Sequence, residues 1–313
     1  MKYRNLGSTG LQISIVGIGC NNFGMRIDEA KSANVVHAAL DLGINFFDTA
    51  DVYGDQKSEV MLGKAIKGRD RSQIVIATKF GSPMGEGVLQ KGASRQHIFS
   101  AVDASLKRLS TDYIDLYQQH FPDPATPVEE TLEALDDLVR CGKVRYLGSS
   151  NYTGWQLADA HWLSNSGGLN RFVTAQNHYN LLDRRVEAEV IPACARFDVG
   201  LLPYFPLASG LLTGKYTRGK AAPGDSRLAH FGERGKRALS DKNFDVVEKL
   251  AGYAQSHDKT LLDLAMSWLA CNDSVSSVIA GATSPEQVES NVKAANWEIE
   301  PTQMEEINAL SKR

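Results

Sequence analysis

The chain has 313 residues, 42% of them hydrophobic, and a formal net charge of −3. That is enough apolar content for one large core. It gives no whole-protein attraction to nucleic acid or anionic membrane, and no apolar run approaches the ~20 residues of a spanning helix.

In chain order, MKYRNLGSTGLQIS lacks a signal-peptide hydrophobic region, so a cytoplasmic protein is expected. The same stretch predicts a small hairpin, after which strand-like and helix-like runs alternate. Strand candidates are residues 16–20, 44–50, 74–80, 113–120, 145–151, 173–180, 200–207 and 276–282. They are apolar on both faces, as strands of a helix-covered parallel sheet are. A first helix is predicted over 28–42, opening at Asp28 and stopping at Gly43. A second spans 126–141, where Thr126, Pro127 and Glu129 read as a capping box with proline at the first helical position. Leu132, Leu135, Leu138 and Val139 form its apolar face. Further helices are predicted over 260–270, 302–310 and 284–295, the last with Ser284, Pro285 and Gln287 as a second capping box.

Eight β-then-α units predict an α/β fold, a closed (β/α)8 TIM barrel, as a single domain over residues 1–313 with the short N-terminal hairpin capping its bottom. An open doubly wound sheet is the alternative, and the absence of GxGxxG after an early strand weighs against it. The longest irregular stretch, 209–238, has a length that usually marks function. Cys20, Cys141, Cys194 and Cys271 have no CxxC spacing, so reduced, mostly buried thiols and no metal are expected. Cys20, at a strand end, is the one that could border a site.

Catalytic side chains of such barrels stand at the C-terminal strand ends. Asp48, Lys79 and His120 end the second, third and fourth predicted strands, and Tyr53 follows the second by a short turn. Strands about 4.8 Å apart let the four converge on one pocket. Singly, an Asp–Lys pair reads as a structural ion pair and a strand-end His as a hydrogen-bonded core residue. Four at consecutive strand ends point to chemistry. A free phenol has a pKa of about 10, and a neighbouring ammonium is expected to lower it. The carboxylate keeps the ammonium charged, and the imidazole orients a substrate oxygen. Such a set suits protonation of an aldehyde or ketone oxygen while the carbon takes hydride from a cofactor, since no side chain supplies hydride.

With these four residues, GINFFDTADVYG and the LGSSN run resemble the aldo-keto reductase superfamily over nearly the whole chain. The match is nearest to the branch of potassium-channel β-subunits and bacterial general reductases. The resemblance implies Asp48, Tyr53, Lys79 and His120 as a catalytic tetrad and NADPH/NADP+ as cofactor. It implies a nicotinamide whose carboxamide is held by Ser150, Asn151 and Gln176 and whose ring stacks on Tyr204. Phe205, Pro206, Leu207, Leu211, Gly214 and Lys215 would clasp the rest of the cofactor on one side, and Gly281, Thr283, Gln287 and Asn291 on the other. Phe205 stands where relatives usually have Ser, so a backbone donor replaces one hydroxyl contact to the phosphates. Ser284 is expected to cap a helix whose N-terminus is a good anion site.

Between 215 and 237, seven basic residues (Lys215, Arg218, Lys220, Arg227, Arg234, Lys236, Arg237) face two acidic ones, Asp225 and Glu233. Lys215 and Arg227 match the family's phosphate and adenine contacts. Residues 281–287 contain no Arg or Lys, so Arg227, and secondarily Lys215, is expected to read the 2′-phosphate.

Expected substrate walls are Asn22, Phe23 and Met25, with Tyr53, Phe121 and Phe205, and segment 82–91 closing over them. Mixed aromatic walls suit a flat or alicyclic carbonyl. The last helix is followed closely by Arg313, without the long C-terminal loop of aldose-reductase-like members, so a broad substrate range is expected. The expected partner is a small-molecule carbonyl, with neither nucleic acid nor membrane, and a homo-oligomer is left open. Two other functions compete. One is a cofactor-binding regulatory subunit with slow turnover, against which stands the lack of an N-terminal inactivation peptide. The other is a Schiff-base aldolase on Lys79, in which DTADVYG has no role.

Overall fold

The computed structural model describes residues 1–224, 226–229 and 232–312, with Arg234 described by its backbone alone. Asp225 and Arg313 therefore lie outside the described residues, as does the Arg234 side chain.

Strands β1 (Tyr3–Asn5) and β2 (Gln12–Ser14) form the antiparallel N-terminal hairpin. Eight parallel strands follow: β3 (Val16–Gly19), β4 (Phe46–Asp48), β5 (Val75–Phe80), β6 (Ile114–Gln119), β7 (Val144–Ser150), β8 (Phe172–His178), β9 (Gly200–Tyr204) and β10 (Val278–Gly281). Their order is β10-β3-β4-β5-β6-β7-β8-β9. The barrel closes just ahead of β10, where Leu201 N donates to Ser274 O at 2.7 Å and Ser276 N donates to Leu201 O at 2.9 Å.

Around the strands lie α1 (Glu29–Asp41), α2 (Lys57–Ala65), α3 (Arg95–Leu109), α4 (Val128–Arg140), α5 (Gly154–Gly167), α6 (Val190–Phe197), α7 (Glu233–Ala238), α8 (Asp241–Gln255), α9 (Leu261–Ala270), α10 (Pro285–Ala294) and α11 (Pro301–Ser311). Among the described residues, no helix is long and apolar enough to cross a membrane.

All eight predicted strands are present, and all but β5, which ends at Phe80 as expected, stop one to three residues early, where the chain bends into the loops that carry the site. Alternation along the strands explains the division inside the barrel. Phe46, Ala77 and Leu116 join Leu6 and Ile13 of the hairpin in an apolar cluster, and two residues further on come Asp48, Lys79 and Gln118. The barrel is thus apolar below and polar above. The hairpin fits closely beneath it: Gly7 has φ +55°, and a Cβ there would lie 2.1 Å from Val173 O, so glycine is required.

The two expected capping boxes are corrected. At α4, Pro127 is itself the N-cap, and Thr126 Oγ1 donates instead to Asp123 Oδ2 at 2.7 Å. At α10, Ser284 is the N-cap without a capping bond: its hydroxyl bonds the Glu286 carboxylate, and Gln287 Oε1 accepts from Thr283 N at 2.9 Å. A complete box opens α9, between Thr260 and Asp263. Helix α5 escaped the periodicity reading because Trp155 and Trp162 are exposed while Leu157 and Ala160 are buried, so no single apolar stripe is visible. Of the four free cysteines, Cys20 and Cys194 are buried and Cys271 half-buried, but Cys141 is exposed at the C-cap of α4.

Candidate active site

Asp48 and Lys79 end up on neighbouring strands, and both side chains are almost fully buried. Lys79 Nζ donates to Asp48 Oδ2 at 2.7 Å, to Thr49 O at 2.8 Å and to Tyr53 Oη at 3.3 Å. One ammonium thereby joins the carboxylate to the phenol. The other carboxylate oxygen, Asp48 Oδ1, accepts from Gln176 Nε2 at 2.8 Å and from Gln118 Nε2 at 3.1 Å. Gln118 was missed in the sequence reading; its two-residue spacing from His120 on one strand was the available signal. Burial pushes the Lys79 ammonium down, and Asp48 and Tyr53 more than offset this, holding it above its ordinary value.

The expected lowering of the Tyr53 pKa is corrected. Burial raises the phenol above its ordinary value, and Lys79 opposes the rise without cancelling it. The phenol therefore keeps its proton at neutral pH. His120 lies edge-on to the Tyr53 ring, with centroids 5.8 Å apart, and stacks on Phe121 at 4.7 Å. Burial, assisted by the Lys79 charge, holds its imidazole down to about 3, so it is neutral. Its Nδ1 lies 3.2 Å from Ser82 Oγ. Asn151, at φ +61°, donates from Nδ2 to His120 O at 2.9 Å and accepts at Oδ1 from Tyr204 Oη at 2.8 Å. Ser150 Oγ donates to Gln176 O at 3.0 Å. These bonds tie the ends of β6, β7, β8 and β9 together above the tetrad.

A cavity of about 690 Å³ opens over Asp48, Tyr53 and His120 and continues between the segment after β9 and the start of α10. Of the expected cofactor residues, Ser150, Asn151, Gln176, Tyr204, Phe205, Pro206, Leu207, Lys215, Arg227, Gly281, Thr283, Gln287 and Asn291 line it. Two do not. Leu211 is 1% exposed and packs in the core, and Gly214, at φ +80°, ends a 3-10 turn. Lys79 also lies outside the lining, behind Asp48 and Tyr53.

Among the expected substrate walls, Phe121 and Asn22 line the cavity. Asn22 does so on the β10 side, where its Nδ2 donates to Ala282 O at 3.3 Å. Phe23 is corrected: it is wholly buried, turned into the core by the 3-10 turn Cys20–Asn22. Met25 is 59% exposed and outside the lining, and no residue of segment 82–91 lines the cavity either. The lining includes Arg26, for which the sequence carried no signal. Cys20 is buried and does not border the cavity; its Sγ lies 3.7 Å from Ile18 O.

The cavity suits a long anionic molecule with a flat head. Phe205, Ala208 and Ser209 all have positive φ, followed by Gly210 at φ +93°. Within this run Ala208 N donates to Phe205 O at 3.0 Å and Gly210 N to Leu207 O at 2.7 Å, which fixes the turn along the cavity wall. Gly210 also makes room for Lys215, since a Cβ there would lie 2.5 Å from Lys215 Cε. The Arg227 guanidinium lies 4.8 Å from the centroid of the Phe205 ring. Arg218, by contrast, is turned outward to Asp241, Asp245 and Glu248 on α8.

Residues 15–312 match the model of the Aldo/keto reductase family. The chain is 39% identical over 307 residues to a probable voltage-gated potassium channel subunit beta of Arabidopsis thaliana, covering 95% of this chain and 92% of that one. It is 35% identical over 320 residues to the aldo-keto reductase YhdN of Bacillus subtilis, covering 99% and 93%. To the uncharacterized oxidoreductase YrpG of the same bacterium it is also 35% identical over 320 residues, covering 99% and 96%.

Proposed function

Because the chain belongs to the aldo/keto reductase family, an oxidoreductase family acting on carbonyl groups, we propose that it reduces an aldehyde or ketone to an alcohol with NADPH, and that Tyr53 donates the proton. The observation that carries this reading is the single ammonium, Lys79 Nζ, bonded to both Asp48 and Tyr53 beneath a neutral His120.

Residues 1–313 act in this reading as one domain. The bound cofactor supplies hydride to the carbonyl carbon. Ser150, Asn151 and Gln176 would hold its carboxamide and Tyr204 its ring. Phe205, Pro206, Leu207, Lys215 and Arg227 would take the phosphates and adenosine on one wall, and Asn22, Gly281, Thr283, Gln287 and Asn291 on the other. Two cationic side chains on the first wall favour NADPH over NADH. His120, neutral and stacked on Phe121, directs the substrate oxygen toward Tyr53. Tyr53 Oη passes its proton to that oxygen as negative charge develops there, and Lys79 steadies the phenolate left behind.

Tyr53→Phe tests the assignment. It should lower kcat by several orders of magnitude and leave NADPH binding nearly unchanged, since the phenol does not hold the cofactor. Near-normal turnover in that variant would remove Tyr53 from the role. A second reading, a cofactor-binding subunit, draws on the name of the Arabidopsis relative. Tight NADPH binding without cofactor oxidation by reactive aldehydes would favour it.

A further inference from the structure

Asp51 lies on the turn between Asp48 and Tyr53, is 1% exposed and does not line the cavity. Both of its carboxyl oxygens are buried and reach no side-chain partner among the described residues; the Val52 N–H is the one backbone group set against them, and it opposes the rise described below. Its neighbours explain this. Glu59 of α2 takes the nearest cation: Arg108 Nε of α3 donates to Glu59 Oε2 at 2.6 Å, and Thr78 Oγ1 of β5 donates to Oε1 at 2.6 Å. The other Arg108 groups go to Gln56 Oε1 at 3.3 Å and Ser105 Oγ at 3.2 Å. Lys79 of β5 has its ammonium committed to Asp48, Thr49 and Tyr53. Tyr117 of β6 faces Asp51 with a hydroxyl that is also buried and without a partner among the described residues, and Asp103 of α3 adds negative charge near that hydroxyl. Two carboxyl groups thus share one guanidinium, and Glu59 holds it. Burial first, and then the Glu59 charge, raise the Asp51 carboxyl to about 7.

The turn that carries Tyr53 depends on its anchors. Gly54, Asp55 and Gln56 are all left-handed, at φ +59°, +53° and +68°. Such backbone persists where the surroundings hold it. The anchors are Asp51 N donating to Lys79 O, Tyr53 N to Ala50 O and Ser58 N to Tyr53 O, each at 3.2 Å. We propose that Asp51 is a positioning residue for Tyr53: as the neutral acid it lets the 50–56 turn seat the phenol on Lys79, and on ionising it draws the turn toward water and loosens that seat. This rests on Tyr53 being the proton donor.

The test compares wild type with Asp51→Asn, which has the shape of the neutral acid. Wild-type kcat for aldehyde reduction should fall about five- to ten-fold through a midpoint near pH 7, with little change in KM for cofactor. The Asn variant should match wild type within about two-fold at pH 6 and stay level until the phenol itself titrates. Superimposable profiles would overturn the positioning role. Two readouts need no turnover, so they stand even if the protein reduces no carbonyl. The first is infrared: a protonated carboxylic C=O band should be present below neutral pH, vanish above it and be missing in Asp51→Asn. No such band overturns the proposal. The second is stability. The folded pKa lies above the unfolded one, so the native state binds the extra proton between about pH 4 and about pH 7, and stability falls as pH rises through that window and levels off above it. Asp51→Asn should lack that fall, and an unchanged fall would count against the proposal. If the variant fails to fold, the wild-type infrared and kcat midpoints are compared: coincidence supports the inference, and separation by more than about one pH unit overturns it.

Discussion

Lys79 and Asp48 should act as one unit, and a double-mutant cycle measures how strongly. Lys79→Met removes the ammonium that bonds Asp48 at 2.7 Å and Tyr53 at 3.3 Å, and leaves a carboxylate that is about 4% exposed with Gln118 and Gln176 as remaining donors. Breaking a buried pair on one side costs about 3–5 kcal/mol of stability. The lost charge-assisted bond to Tyr53 accounts for about 1.5–3 kcal/mol in the barrier, or about one to two decades in kcat. Asp48→Asn fails in the opposite way, by leaving the ammonium without its carboxylate. The double variant leaves neither charge stranded, so it should be little worse than the worse single one. The expected coupling energy is about 3 kcal/mol in urea unfolding, with the same sign in kcat from steady-state NADPH oxidation. Losses that add to within about 0.5 kcal/mol would refute the claim that the two residues work through each other.

His120→Ala should impair reduction of bulky ketones more than of small reactive aldehydes, because its role is orientation; equal losses across a substrate panel would count against it. With the imidazole held down to about 3, the native state binds fewer protons than the unfolded one below the ordinary His value, so His120 should lower stability as pH falls from about 6.5 toward about 3. Comparing urea midpoints of wild type and His120→Asn across that range checks the sign. Arg227→Ala should raise the Kd for NADPH by about one to two decades and leave NADH nearly unchanged, measured by fluorescence titration. A wild type with no NADPH preference would mean that Arg227, over Phe205, does not read the 2′-phosphate, and would point to the lack of a basic residue in 281–287.

Eight strands and the residues at their ends were legible in the sequence because strand character is local. A run such as IVIATKF declares itself by composition, and its last residues must then face the barrel mouth. Asp48, Tyr53, Lys79 and His120 came together for that reason, and most of the residues expected on the cofactor walls do line the cavity. Loop residues were not legible. Phe23 and Met25 sit beside Asn22 in sequence, yet Phe23 turns into the core, Met25 faces solvent, and it is Arg26 that lines the cavity. Where such side chains point depends on turns of special φ and on contacts with distant parts of the chain, which no local period encodes. Electrostatics was the least legible part. The residue types alone suggested a phenol lowered by an ammonium, but burial outweighs that charge in Tyr53, and at Asp51 burial and Glu59 outweigh the nearby cations. Desolvation sums over neighbours from many strands and helices, so only the folded barrel decides which protons stay.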